Sequence, residues 1–263
     1  MCRFVAYLGQ PIYLEDLVAR PRHSLVQQSL HAERAHTVTN GDGFGIGWYG
    51  ERPEPAVYRE VMPAWSDENL LALTATVRSP LFFAHVRAAT GGGIARSNCH
   101  PFRSGSHLFM HNGQIGGYPQ VRRALESLLP DGLYAQRRGA TDSELLFLLS
   151  LSRIEQGMKP TDAVLWALAQ ARDEMRRRDI ADPLRFAAAL SDGRRLHVFR
   201  LSSDATPPSL YIRQHEAGIT VASEPLSQDG GAEADGHAWE ALPAGAVITI
   251  EGAEVWRELR SLS

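Results

Sequence analysis

The chain is poor in cysteine: only Cys2 and Cys99 occur among its 263 residues. Two cysteines are too few for the disulfide framework of a secreted protein, so they favour a reducing compartment. The sequence also lacks an apolar run long enough to span a bilayer, and its first residues, MCRFVAYLGQPIYLED, do not have the form of a signal peptide. We therefore expect a cytoplasmic protein that does not act on a membrane.

The chain has no excess of positive charge. Its net charge is −3 and its pI is about 6.4, which argues against a nucleic-acid partner or an anionic membrane surface. Ten histidines are present, but neither an H-E-x-x-H motif nor paired C-x-x-C motifs accompany them, so we predict no metal site and no other cofactor. The G-x-S-x-G motif of many serine hydrolases is missing as well.

The composition is that of a globular protein, with 44% apolar and 22% charged residues. We see no repeat and no linker, and we interpret residues 1–263 as a single domain. Four strands are predicted before residue 113, at Cys2–Leu8, Phe44–Tyr49, Leu81–Arg87 and Leu108–Asn112. Helices are predicted at Asp67–Val77, Tyr118–Leu129, from Thr141 onward and at Pro160–Arg178. Six further strands follow, at Arg185–Ser191, Leu196–Leu201, Ser209–Arg213, Ile219–Ser223, Ala246–Glu251 and Glu254–Glu258. Strands, then helices, then mostly antiparallel strands indicate an α+β fold.

Cys2 follows the initiator methionine directly, and removal of that methionine would leave a thiol and a free α-amine on one residue. The ordinary pKa of a cysteine thiol is about 8.5, and that of an α-amine is about 7.7–8.0. One residue could then supply both a nucleophile and its general base. The alternative is a cysteine that occurs by chance in a first strand. Cys99 lacks a terminal amine and is typical of a small buried residue.

A glycine-rich block, NGDGFGIGWYG, covers residues 40–50 and contains G-x-G-x-x-G at Gly45, Gly47 and Gly50. A dinucleotide-binding loop of this form requires a helix to start there. The residues that follow, Glu51-Arg-Pro-Glu-Pro55, do not begin a helix. We therefore interpret the block as a strand that packs tightly beside a functional site.

Three polar segments carry further candidates. Arg87 ends an apolar strand, where its planar guanidinium could bind a carboxylate or form a structural ion pair. Asn112 and Gly113 end another strand and could donate two hydrogen bonds to an oxyanion, or simply form a turn. Thr141-Asp-Ser-Glu144 has the form of a capping box. Asp142 suits the positive end of a helix dipole there and could also hold a substrate ammonium group.

Taken in order along the chain, these segments resemble the class II glutamine amidotransferases, which are N-terminal-nucleophile hydrolases. The matching segments are Met1-Cys-Arg3, the glycine-rich block, His85-Val-Arg-Ala-Ala-Thr90, His111-Asn-Gly113, Thr141-Asp-Ser-Glu144 and Val221-Ala-Ser-Glu-Pro225. The resemblance implies a four-layer αββα sandwich of two antiparallel sheets. It gives no role to Ser223 and Glu224.

The same resemblance implies a role for each candidate residue. Cys2 would attack the side-chain amide of glutamine, and its α-amine would pass the proton to the departing ammonia. Asn112 Nδ2 and the Gly113 N–H would form the oxyanion hole. Arg87 would bind the α-carboxylate of the substrate and Asp142 its α-ammonium, with Thr90 nearby.

Better-known members of that family carry a large synthetase domain, for which 263 residues leave no room. The chain resembles instead the short stand-alone branch, which includes the γ-glutamyl amidase of ergothioneine biosynthesis. We therefore expect a cysteine-dependent amidohydrolase that cleaves glutamine or another γ-glutamyl amide through a γ-glutamyl thioester. Two alternatives remain open, a glutaminase subunit that supplies ammonia to a separate synthase and a catalytically idle binding protein. A synthase partner or a homodimer is compatible with these hypotheses.

Overall fold

Two antiparallel sheets pack face to face in the computed structural model, which describes residues 2–30, 40–89, 93–226 and 237–262. Its strands are β1 Arg3–Tyr13, β2 Phe44–Trp48, β3 Ala56–Glu60, β4 Arg78–Val86, β5 Phe102–Ser104, β6 His107–Gln114, β7 Arg185–Ser191, β8 Arg195–Ser202, β9 Tyr211–His215, β10 Gly218–Ala222, β11 Glu240–Ala241, β12 Ala246–Glu251 and β13 Glu254–Leu259. Its helices are α1 Glu15–Val18, α2 Leu25–Leu30, α3 Glu68–Thr76, α4 Tyr118–Glu126, α5 Asp131–Tyr134, α6 Asp142–Ile154 and α7 Pro160–Arg176.

The first sheet has the strand order β11-β9-β10-β1-β4-β2-β3, and the second has the order β13-β12-β8-β7-β6-β5. Each hydrogen-bonded strand pair is antiparallel within the described residues. β1 and β4 are central in the first sheet, and β6 and β7 are next to one another in the second. The strands that carry the candidate residues therefore lie inside the sheets and not at their edges.

Successive side chains of a strand point to opposite faces of its sheet. Each sheet can therefore pack against the other sheet on one face and against helices on its other face. In β1, Phe4 joins the core between the two sheets, while Val5 packs with the helices α1, α2 and α3. In β6, Leu108 faces the core between the sheets, while Phe109 packs with α4, α6 and α7. Full burial of one such side chain stabilises the fold by about 1.5–3 kcal/mol. The predicted α+β fold with four αββα layers is confirmed.

The first strand is longer than predicted. β1 runs to Tyr13, whereas the prediction ended it at Leu8. The chain stays extended beyond Gly9 because the Gln10 N–H donates a hydrogen bond to the Ala217 carbonyl at 2.6 Å. The pairing with β4 shifts register between Leu8 and Ile12, and such an irregularity tolerates a proline within a strand. Glycine and proline here mark a bulge and not the end of the strand.

Several short elements were not predicted: β3, β5, β11, α1, α2 and α5. The longer helices and the strands of the C-terminal third agree with the prediction to within a few residues. In the described ranges, no helix is long and apolar enough to cross a membrane.

Candidate active site

Cys2 and Arg87 come together through the pairing of β1 with β4. Arg3 is the register partner of Val86, and because the strands are antiparallel, the residue before Arg3 lies beside the residue after Val86. The Cys2 Sγ lies 3.6 Å from the Ala88 carbonyl oxygen, which accepts its hydrogen bond. The Cys2 side chain is only partly exposed, and burial raises the pKa of its thiol above the ordinary value. A thiol in this setting needs a nearby base to become a nucleophile.

β6 provides the next wall of the site. Asn112 is buried, and among the described residues its Nδ2 has no hydrogen-bond partner. Gly113 has a φ of +150°, and a Cβ on it would lie 1.9 Å from the Arg185 carbonyl oxygen. Only glycine fits at that position. This part of β6 therefore places one unused, buried amide donor next to a backbone N–H.

The N-terminus of α6 closes the site from a third side. Thr141 is the N-cap, and its Oγ1 accepts a hydrogen bond from the Glu144 N–H at 3.2 Å. Asp142 Oδ2 accepts one from the Ile115 N–H at 2.8 Å, so it ties the helix to the loop that follows β6. Its other oxygen, Oδ1, accepts one from the Ser143 N–H at 2.8 Å.

The predicted capping box is only half correct. The Glu144 carboxylate does not reach back to the Thr141 N–H. It accepts hydrogen bonds from the Arg138 N–H at 2.9 Å and the Gly139 N–H at 2.7 Å. The loop that precedes α6 supplies these two main-chain amides, and the Glu144 carboxylate binds them and not the N-cap amide.

One cavity of about 550 Å³ joins these elements, a volume typical of small-molecule sites. Cys2, Arg87, Gly113 and Asp142 line it, and Asn112 immediately precedes Gly113. The predicted substrate-binding residue Thr90 lies outside the described residues. Three residues without a predicted role also line the cavity, Tyr118, Arg122 and Asp182.

A sequence model of the family described as glutamine amidotransferases class-II matches residues 21–216. The chain belongs to this family. It is 32% identical to a probable glutamine amidotransferase of Saccharomyces cerevisiae over 299 residues, which cover 95% of this chain and 82% of that protein. It is 28% identical to a gamma-glutamyl-hercynylcysteine sulfoxide hydrolase of Mycolicibacterium smegmatis over 257 residues, which cover 97% and 98% of the two chains.

A solved structure of a glutamine aminotransferase class-II domain protein from Silicibacter pomeroyi is also similar. Its TM-score to this chain is 0.75 at 35% identity, and the match covers 99% of this chain and 100% of that one. These likenesses confirm the predicted family and its amide-cleaving type of enzyme. The chain is thus a class II glutamine amidotransferase in both fold and sequence.

In this class II amidotransferase, the chain next to Cys2 is fixed by a buried ion pair. The Arg3 Nε donates to Glu224 Oε1 at 2.7 Å, and both side chains are 1% exposed. The Arg3 Nη1 donates to the Cys2 carbonyl at 3.0 Å. His23 Nε2 lies 3.0 Å from the other Glu224 oxygen, and the Ser223 Oγ accepts from the Phe4 N–H at 3.0 Å. Ser223 and Glu224, which had no role in the sequence analysis, thus anchor the start of β1.

Three buried histidines lie near the amidotransferase cavity, and two of them, His100 and His111, line it. Burial lowers the pKa of His85 to about 3 and the pKa of His100 well below its ordinary value. Burial also lowers the pKa of His111, whose Nδ1 is 2.8 Å from the Ser143 Oγ. These imidazoles are therefore neutral at neutral pH. In the part of the chain that the structure describes, no group of three or more His, Cys, Asp or Glu side chains could hold a metal ion.

The glycine-rich block packs directly against the His100 segment. Gly45 lies in β2, and a Cβ on it would lie 2.2 Å from the His100 carbonyl oxygen. The strand continues into a turn and then into β3, with no helix after it. The interpretation as a tightly packed strand is confirmed, and the phosphate-binding loop is excluded.

Proposed function

We propose that this class II amidotransferase is a cysteine-dependent amidohydrolase that cleaves a γ-glutamyl amide. The observation that carries the proposal is the common cavity of Cys2, Arg87, Gly113 and Asp142, next to the unused amide donor of Asn112. A thiol, two oxyanion donors, a cation and an anion are the groups needed to bind and cleave a zwitterionic amino acid with a side-chain amide.

Two opposite charges would orient the substrate. The Arg87 guanidinium suits the planar α-carboxylate. The Asp142 carboxylate has spare lone pairs after its bonds to the Ile115 and Ser143 N–H groups, so it can also accept from an α-ammonium. We propose Thr90 as a further substrate-binding residue. Binding at both charges would fix the amide carbon over the thiol, and such positioning supplies a large part of many rate enhancements.

The reaction starts once the residue before Cys2 has been removed and its α-amine is free. The amine takes the thiol proton, and the sulfur adds to the amide carbonyl carbon. Asn112 Nδ2 and the Gly113 N–H stabilise the oxyanion. The C–N bond then breaks, and the ammonium proton passes to the departing amine. Water attacks the resulting γ-glutamyl thioester, with the same α-amine as base, and releases glutamate and the free thiol.

The proposed reaction allows a leaving group larger than ammonia. The relative from Mycolicibacterium smegmatis, by its name, hydrolyses gamma-glutamyl-hercynylcysteine sulfoxide. The cavity of this chain is also lined by Tyr118, Arg122 and Asp182, which could contact a leaving group larger than ammonia. Transfer of ammonia to a synthase partner is the alternative, and it predicts weak activity of the purified protein that a partner stimulates. Formation of a homodimer is a further prediction.

Intact mass spectrometry with and without 6-diazo-5-oxo-L-norleucine tests the proposal. We expect the natively expressed protein to have lost the mass of Met1 and to gain one covalent adduct, located on Cys2 by peptide mapping. The adduct should not form after treatment with iodoacetamide. A protein that keeps Met1 and still releases glutamate from γ-glutamyl amides would refute the proposed chemistry.

The oxyanion hole gives a second prediction. Replacing Asn112 by alanine should lower kcat about 10²–10³-fold, because it removes one of the two donors to the tetrahedral intermediate. KM should change much less, since the donor acts mainly in the transition state. Steady-state glutamate release measures both constants. An unchanged melting temperature serves as the control for folding, and a variant with full kcat would exclude Asn112 from the oxyanion hole.

A further inference from the structure

A second cavity, of about 250 Å³, lies between β3, β5 and the first turns of α6. Among the residues that the structure describes, it shares none of its lining with the cavity of Cys2. Three arginines and one carboxylate give it its charge, namely Arg59, Arg103, Arg138 and Glu144. Phe102 and Phe147 form an apolar part of its wall. The function proposed above uses none of these residues.

Protein carboxylates neutralise only part of the positive charge at this cavity. None of the three guanidinium groups forms an ion pair within the described ranges. Arg59 and Arg103 each donate to a neutral main-chain carbonyl, at 3.2 and 3.1 Å. Glu144 uses its oxygens for the Arg138 and Gly139 N–H groups. Three cations against one anion leave a net charge of about +2 around the cavity.

Arg59 shows the electrostatic cost of this arrangement. Burial lowers the pKa of its guanidinium, although the positive charge persists at neutral pH. The nearby Glu144 opposes this effect, and the positive charges of Arg103 and Arg96 add to it. Like charges around a partly enclosed space repel one another, and an anion among them would replace repulsion by attraction.

We propose that this arginine cavity binds a small dianion such as inorganic phosphate. Guanidinium groups donate in pairs to phosphate and carboxylate oxygens, and donors on several sides of a small space match the several oxygens of one dianion. The size of the cavity favours a small molecule over an acidic peptide. Because the loop of Arg138 and Gly139 leads directly into α6, a bound anion would also brace the segment that carries Asp142.

Isothermal titration calorimetry of the full chain with phosphate, and separately with succinate, tests this proposal at low ionic strength. The phosphate and succinate arms distinguish a phosphate site from a dicarboxylate site. We expect saturable binding of one equivalent of at least one of the two dianions. The double variant Arg103→Gln/Arg138→Gln should bind at least about tenfold more weakly, because it loses two charge-assisted donors.

Arg123→Gln is the matched control, since it removes one exposed arginine on α4 that lines neither cavity. Its affinity should equal that of the wild type. Both arginines of the double variant are exposed, so the variant should keep the wild-type melting temperature. Absence of saturable binding of both dianions, or undiminished binding by the double variant, would overturn the proposal. Because the assay needs no turnover, its outcome is independent of the proposed amidase reaction.

Discussion

Replacing Cys2 by serine should lower the rate of glutamate release from γ-glutamyl amides by about four orders of magnitude or more, the scale of effect seen when a nucleophile is removed. A serine hydroxyl is far less acidic than a thiol, so the α-amine would activate it much less effectively in a site arranged around sulfur. Arg87 and Asp142 are untouched by this change. The substrate should therefore still bind, and the loss should fall on kcat.

Steady-state kinetics of the purified variant measure this effect, and calorimetry with the unreacted substrate measures binding. Cys99→Ser is the matched control because it removes the other thiol. Cys99 is buried, its Sγ lies 3.4 Å from the Glu60 carbonyl, and it does not line the cavity of Cys2. We expect this variant to keep kcat within a few-fold of the wild-type value. Comparable losses in both variants would point away from Cys2 as the nucleophile.

The sequence predicted the family from the order of short segments along the chain, but it did not predict how those segments meet in space. Cys2, Arg87 and Asp142 lie on three separate segments, and their order along the chain was sufficient to indicate the family. Their proximity depends on the pairing of β1 with β4 and on the hydrogen bond from Ile115 to Asp142, which join distant parts of the chain. Local periodicity carries no information about such pairings.

The residues that the sequence analysis missed are mostly partners of predicted ones. Glu224 is 221 positions from Arg3, and no local pattern connects a glutamate in a loop to an arginine in the first strand. The short helices and strands were not predicted for a different reason. Four residues in α1 and two in β11 are too few to display a helical or strand period.

Removing the charge of Glu224 should destabilise the protein strongly. The Arg3–Glu224 pair is almost completely buried, so Glu224→Gln leaves the Arg3 guanidinium without its counter-charge in a low-dielectric environment. Breaking one partner of a buried pair costs about 3–5 kcal/mol in the free energy of unfolding. For a chain of this size, that loss lowers the melting temperature by about 6–20 °C. Thermal unfolding followed by circular dichroism measures the shift.

Glu240→Gln is the matched control, because Glu240 also pairs with an arginine but on the surface, where its side chain is 53% exposed. Exposed pairs contribute about 0–1 kcal/mol, so this variant should unfold close to the wild-type temperature. A fall in melting temperature no larger for Glu224→Gln than for Glu240→Gln would show that the buried pair does not stabilise the fold.

The same substitution should also affect chemistry at Cys2 in the protein that remains folded. Arg3 links Glu224 to the Cys2 carbonyl through its Nη1, so a displaced Arg3 releases the main chain that holds the thiol. We expect Glu224→Gln to react more slowly with 6-diazo-5-oxo-L-norleucine at temperatures well below its unfolding transition, because misplacing a reacting group by about 1 Å can cost about 10²-fold in rate. If Glu224→Gln is less stable than the wild type but is labelled at the same rate, Glu224 supports the fold without positioning Cys2.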